Sequence, residues 1–279
     1  MPDKVRIGAG TGFQGDRLEP AVILASQGEL DYLALECLAE RTIALAQLRK
    51  LADPATGYDP LLEKRLGSLL PIAKRNGVRI VTNMGAANPL AAGRKVIRLS
   101  RNLNLNVKVA VVTGDDVVSL LEPSMRTIEA RGAPLSEYEI VSANAYLGAD
   151  AIVPALATGA DVVITGRVAD PSLFVAPIAH AFGWRLEYLA VRPEYLQWVV
   201  NVQPNTSPGY LMRIMRQQTS EKIFNEFARL KKENPSGDFW APGYLIMGGT
   251  QPHPPQLVRD YINQTRTRQG QDSQPLPRK

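Results

Sequence analysis

Five short apolar runs without alternation punctuate the first two-thirds of the chain: Val5–Ala9, Tyr32–Glu36, Val78–Thr82, Val107–Thr113 and Asp161–Thr165. A sheet wetted on one side would alternate apolar and polar residues, so continuous runs of this length predict strands covered on both faces. Between them the apolar period lengthens to that of a helix. It predicts helices over Leu18–Gln27, Leu38–Lys50, Pro60–Asn76, Pro89–Arg101, Asp116–Ala130, Ala143–Ala157 and Pro171–Phe182. Asp59-Pro60, Asn88-Pro89 and Asp170-Pro171 each set a capping side chain before a proline that needs no donor in the first turn. Gly28, Gly77 and Gly183 stand where helices should stop. This alternation predicts an α/β fold, a mainly parallel sheet flanked by helices.

The pattern changes near residue 190. Tyr210–Lys232 reads as one or two helices, with Leu211, Ile214, Met215, Ile223, Phe224, Phe227 and Leu230 on the apolar stripe. A turn follows at Asn234–Asp238, a strand is expected over Ala241–Gly249, and Pro255–Arg268 is an amphipathic helix with Leu257, Val258, Tyr261 and Ile262 facing inward. Composition changes at the same place. Residues 192–279 hold twelve Lys and Arg against seven Asp and Glu, together with ten of the 21 prolines. The whole +5 charge therefore resides there. The expected organisation is an α/β domain over residues 1–190, a small basic, mostly helical module over 191–270 and a frayed tail over 271–279.

Bulk properties exclude several classes. Hydrophobic residues at 45% and charged residues at 21% describe a folding, globular chain. No apolar run reaches bilayer length, and Met1–Lys4 lacks the apolar core of a secretory signal, so a cytoplasmic protein without membrane attachment is expected. A single cysteine, Cys37, allows no internal disulfide and no thiolate zinc cluster. Basic residues spaced along helix faces, with no recognised motif beside them, do not favour nucleic acid as the partner. A small-molecule substrate is expected, and a homo-oligomer stays open.

In a parallel sheet the ligand crevice lies beyond the carboxyl ends of the strands. The residues there are small and polar: Gly10–Asp16, Glu36–Glu40, Thr82–Asn88, Thr113–Asp116 and Thr165–Asp170. Gly10, Gly12 and Gly15 satisfy G-x-G-x-x-G, and Glu36 ends the second strand about where a ribose-binding acid would stand, so an NAD(P) cradle is one reading. A tight turn without nucleotide is the other. Asp16, Asn88 and Asp170 suit caps as well as a site. Asp115 and Asp116 suit a helix start, or with Asp16, Glu36 and Glu40 a Mg²⁺ site. Arg167 after Gly166 could clamp a carboxylate or phosphate. Neither His180, on a helix, nor His253, among prolines, is placed as a general base, which leaves proton transfer to Asp or Glu.

Ile7–Asp16, Leu30–Glu40, Ile80–Pro89 and Val163–Leu173 together, in this order and spacing, resemble the acyclic terpene utilisation protein AtuA family across about residues 4–184. The resemblance implies a cytoplasmic α/β protein of acyclic isoprenoid or branched-acid catabolism, a pathway running through CoA thioesters. The resemblance ends near Gly183-Trp184, short of the family's full domain. A hydratase or lyase is the leading expectation, with Glu36, Asp170 and Asn83 as catalytic residues. Gly10, Thr11, Gly12, Gly15, Asp16, Asn88 and Arg167 would bind the CoA ester. An NAD(P)-dependent oxidoreductase and a non-catalytic binding module are the alternatives.

Overall fold

The computed structural model describes residues 4–127, 132–192, 195–202, 207–234, 237–241, 243–249 and 251–268. The expected tail at 271–279 and the middle of the expected turn at 234–238 lie outside these residues. The chain divides into two compact units, Met1–Leu186 and Glu187–Lys279.

Five parallel strands form the sheet of the first unit: β1 (Ile7–Thr11), β2 (Tyr32–Leu35), β3 (Arg79–Thr82), β4 (Val109–Val112) and β5 (Val162–Thr165). Their spatial order is β1-β2-β3-β5-β4. The helices are α1 (Glu19–Gln27), α2 (Glu40–Ala52), α3 (Leu62–Asn76), α4 (Pro89–Asn102), α5 (Ala149–Ala157) and α6 (Ser172–Ala181). The first three strands advance across the sheet, whereas β5 steps back from the β4 edge. With right-handed crossovers, that reversal sends α5 to the opposite face from α1, α3 and α4. Accordingly α3 packs between α1 and α4, while α5 pairs with α6.

The central strands β2 and β5 are buried at every residue, as unbroken Tyr-Leu-Ala-Leu and Val-Val-Ile-Thr sequences require. Leu33, Leu35, Ile80 and Ile164 meet Leu62, Leu66 and Leu69 of α3 in one core. Gly77 ends α3 in the left-handed conformation, φ +71°, which gives the helix its stop. Asn88 caps α4 by accepting from Ala91 N at 3.2 Å. Asp170 does not cap α6; its carboxylate is drawn to Arg167 instead.

Two predicted helices are corrected. The helix expected over Asp116–Ala130 is absent across Asp116–Thr127, where only a 3₁₀ turn at Val118–Leu120 forms and residues 128–130 lie outside the described chain. Pro123 has no amide to donate, and Asp116 bridges to Asn144 instead of starting a helix. The helix expected from Ala143 begins only at Ala149. Residues 143–148 run extended beside the ends of β4 and β5, with Ala145 N donating to Asp115 O at 2.7 Å and Ala169 N to Leu147 O at 2.9 Å.

The second unit contains β6 (Arg185–Val191, starting at the seam), β7 (Leu196–Asn201), α7 (Pro208–Glu226), α8 (Ala228–Glu233) and α9 (Pro255–Arg268). The two strands pair and were not foreseen in the sequence. Arg192 and Tyr195 exchange main-chain hydrogen bonds of 2.8 and 3.3 Å between them. Leu211, Met215 and Phe224 of the expected stripe are buried, but Phe227 is exposed, because α7 has ended and the chain turns there. No strand forms over the described residues of 241–249, where Gly243 and Gly249 adopt positive φ of +88° and +154° and break the extended run. Asp238 ties this segment to α7, accepting from Ser220 Oγ (2.9 Å), Arg216 Nη2 (2.5 Å) and Trp240 N (3.0 Å). No helix among the described residues is long and apolar enough to cross a membrane.

Candidate functional site

The carboxyl ends of β2, β3, β4 and β5 converge on Arg167. Its side chain is 3% exposed, and its guanidinium donates through Nη2 to Asp170 Oδ1 (2.6 Å) and through Nε and Nη2 to Val168 O (3.3 and 3.2 Å). The third nitrogen, Nη1, is enclosed with no hydrogen-bond partner among the described residues. A buried unmatched donor on a cation costs about 1–3 kcal/mol or more, which protein structures rarely leave unspent. Tyr146 roofs the guanidinium, ring centroid 4.4 Å from Cζ, and its hydroxyl donates to Glu40 Oε1 at 2.5 Å. That hydrogen bond holds the Glu40 carboxyl below the usual range.

Glu36 follows β2 and is half-buried. Its Oε1 accepts from Asn83 Nδ2 (2.9 Å) and from Leu38 N (2.9 Å). Burial pushes its pKa up, and the Asp170 charge adds to the rise; the two hydrogen bonds and Arg167 oppose it. Asn83 is fully buried with both ends of its amide committed, Oδ1 accepting from Cys37 N at 2.7 Å. It therefore orients Glu36, and its Nδ2 keeps a second N–H beyond that bond.

Asp115, 3% exposed, joins the β4 and β5 ends. Its Oδ2 accepts from Arg167 N (2.8 Å) and Asn144 Nδ2 (3.0 Å), and burial raises its pKa. Gln47 of α2 completes the chain, Nε2 donating to Asn144 Oδ1 at 3.4 Å. Asp115 and Asp116 thus do not serve a helix dipole. No three of His, Cys, Asp or Glu among the described residues gather to hold a metal ion, so the Mg²⁺ reading gains no ligand cluster.

The glycine turn has another use than a phosphate cradle. Gly12 N and Phe13 N donate to Asp16 Oδ2 at 2.8 and 3.0 Å, so the chain's own carboxylate sits where an anion would. The following helix starts only at Glu19, capped by Leu18 without a side-chain bond. A Cβ at Gly10 would stand 2.7 Å from Leu35 Cδ2 and 3.1 Å from Ala21 Cβ, which makes this a packing glycine between β2 and α1. A Cβ at Gly15 would overlap the Phe13 ring, and one at Gly12 would meet nothing within 4 Å. Thr11 Oγ1 donates to Glu36 O at 2.8 Å and touches Cys37 Sγ at 3.3 Å. Cys37 is buried, receives Arg65 Nη1 at 3.1 Å, and its thiol is pushed up to about 12 by burial, which disfavours the thiolate a nucleophile needs. Asn88 spends its amide on Pro54 O (2.9 Å) and Thr56 O (2.7 Å) besides capping α4.

Residues 5–190, about two-thirds of the 279, match the profile of the acyclic terpene utilisation family protein AtuA. The chain belongs to this family. Residues 163–265 also match the profile of IS200-like transposases, a stretch well under half of the chain that overlaps the first match. Comparison with curated proteins and with solved structures gave no match.

Within this AtuA-family unit, Glu36, Asn83, Asp170 and Arg167 are brought to adjoining strand ends. Gly10, Gly12, Gly15, Asp16 and Asn88 are instead committed to packing, a closed turn and a cap. Sequence reasoning missed Asn144 and Tyr146, which reach the site on the extended 143–148 segment. The signal was Gly148, which interrupts the helical period two residues after Tyr146.

Proposed function

We propose that the crevice of the first unit processes a CoA thioester of a branched or isoprenoid acid as a hydratase or lyase. The observation that carries this is the enclosed, unpartnered Arg167 Nη1 beside the half-buried Glu36. A thioester carbonyl is an acceptor for such a donor, and charge developing on its oxygen strengthens the bond to the enclosed nitrogen. Glu36, with a raised pKa and an orientation fixed by Asn83, is the group suited to move a proton at the adjacent carbon. In the dehydrating direction the Cα–H bond breaks toward Glu36, the Cα–Cβ double bond forms, and the Cβ–O bond breaks. The proton held by Glu36 leaves with the hydroxyl as water, which restores the carboxylate. Asp170 keeps the guanidinium in place throughout.

Glu36→Gln tests this role. Glutamine can still accept from Asn83 and Leu38 N, so the fold is expected to persist while turnover falls about 10²–10⁴-fold. In the unsubstituted chain the rate is expected to rise with pH. Burial holds Glu36 protonated above the ordinary glutamate range, so its acid limb lies above that range as well. A panel of acyl thioesters followed by mass spectrometry, with Tm shifts read in parallel, checks both. NAD(H), whose expected phosphate position Asp16 fills, should leave Tm unchanged. A Glu36→Gln variant of full activity would remove the residue from the mechanism.

A second reading applies to the other unit. The match to IS200-like transposases and the excess of basic residues favour a nucleic-acid partner there, against the expectation from charge spacing alone. Tyr195, Trp198, Trp240, Tyr244 and Tyr261 line a groove of about 680 Å³ between β7, α7 and α9, and aromatic faces of this kind stack on bases. Fluorescence anisotropy with single- and double-stranded oligonucleotides should give binding that weakens steeply with salt. No binding at low salt would dispose of this reading.

A further inference from the structure

Arg167 is surrounded by more negative charge than it can neutralise. Asp170 is paired to it at 2.6 Å, Glu40 is linked to it through Tyr146, whose ring lies on the guanidinium and whose hydroxyl donates to Glu40, and Glu36 stands at the neighbouring strand end. Three carboxylates thus share one cation. Yet that cation still carries an enclosed donor without an acceptor. A bound carboxylate or phosphate would bring a further negative charge into this group, and like charges a few ångströms apart repel, with solvent screening part of that repulsion at the exposed Asp170 and Glu40. An uncharged oxygen satisfies Nη1 without that cost. Carboxylates nearby are acceptors only, and each is best used by a ligand that brings a hydroxyl donor.

We infer that the Arg167 site selects a hydroxylated carbonyl compound whose acid group is masked as an ester or thioester, and rejects the corresponding free acid. The ligand carbonyl oxygen meets Nη1 as the exposed Tyr146 ring gives way, and its hydroxyl donates to Glu36 or Glu40. This rests on the reading of the Arg167 crevice as the substrate site and sharpens it: Arg167 reads a dipole, not an anion. The thioester is then recognised for its neutrality, before any contact with the CoA portion.

Calorimetry on the full chain tests this with 3-hydroxy-3-methylbutanoic acid in three forms: the N-acetylcysteamine thioester, the methyl ester and the free acid. The two masked forms are expected to bind at least about tenfold more tightly than the acid. Asp170→Asn removes one negative charge from beside the guanidinium, and its carboxylate is more than half exposed, so the variant should fold. It is expected to narrow the gap severalfold by improving the acid. If the acid binds as tightly as the methyl ester, and Arg167→Gln abolishes that binding, the site reading stands and the selectivity for neutral ligands is overturned. A gap that Asp170→Asn leaves unchanged overturns it too, because shape and not charge then sets the preference. If none of the three binds, the crevice is not the site for this substrate class and both readings fall.

Discussion

Replacing Arg167 with glutamine is expected to weaken thioester binding about 10- to 100-fold while leaving the first unit folded. A hydrogen bond from a charged group contributes about 1.5–3 kcal/mol, and each 1.4 kcal/mol is tenfold in affinity. The fold survives because Asp115 is held by the main-chain N–H of Arg167, not by its guanidinium, so the lock between β4 and β5 stays closed. Asp170, released, lies more than half exposed and returns to water. Calorimetry with an acyl thioester reads the affinity, and thermal denaturation, with an expected loss of a few degrees, reads the fold. Full affinity in a folded variant would take Arg167 out of the site.

Gly85→Ala should produce the largest loss of stability in the site region. Its new Cβ would overlap the carbonyl oxygen of Thr165 and lie 2.8 Å from both Cα and Cβ of Pro89. Thr165 is fully buried in β5, and Pro89 is the first residue of α4. Both obstacles include backbone, so relief requires the β3 loop or the helix start to move. Overpacking of this kind costs about 1–3 kcal/mol and occasionally more. For a chain of this size that is about 3–10 °C in Tm. Gly12→Ala is the matched control: nothing lies within 4 Å of its Cβ, and Tm should hardly change. Equal melting of the two variants would refute the close approach of the β3 and β5 ends.

The strands and most helices of the first unit are legible because their signals are local. Val162–Thr165 is an unbroken apolar run, and α3 carries leucines at helical spacing and ends at a glycine that can take positive φ. Asp116–Ala130 misled because its apolar period is compatible with a helix, whereas Pro123 and the bridge from Asp116 to Asn144 impose another path. In the second unit, β6 and β7 went unread because their pairing depends on a partner strand rather than on their own period.

The sequence by itself determined the α/β class, the placing of small polar residues at strand ends and the change of character near residue 190, since periodicity and composition are properties of the chain. Tertiary structure decided which of those residues are free to act. Gly12 and Phe13 offer the amides expected of a phosphate cradle, but Asp16 folds back onto them. Asn83 has the right amide for an oxyanion, but Cys37 N on its oxygen and Glu36 on one of its two N–H groups fix which way that amide is turned. Arg167 is left with an unmatched donor only because Asp170, Val168 and Tyr146 take up the rest of its guanidinium. Hydrogen-bonding capacity is fixed by residue type, whereas its occupation depends on neighbours far away in the chain, 106 positions for Tyr146 and Glu40. Only the folded arrangement records that.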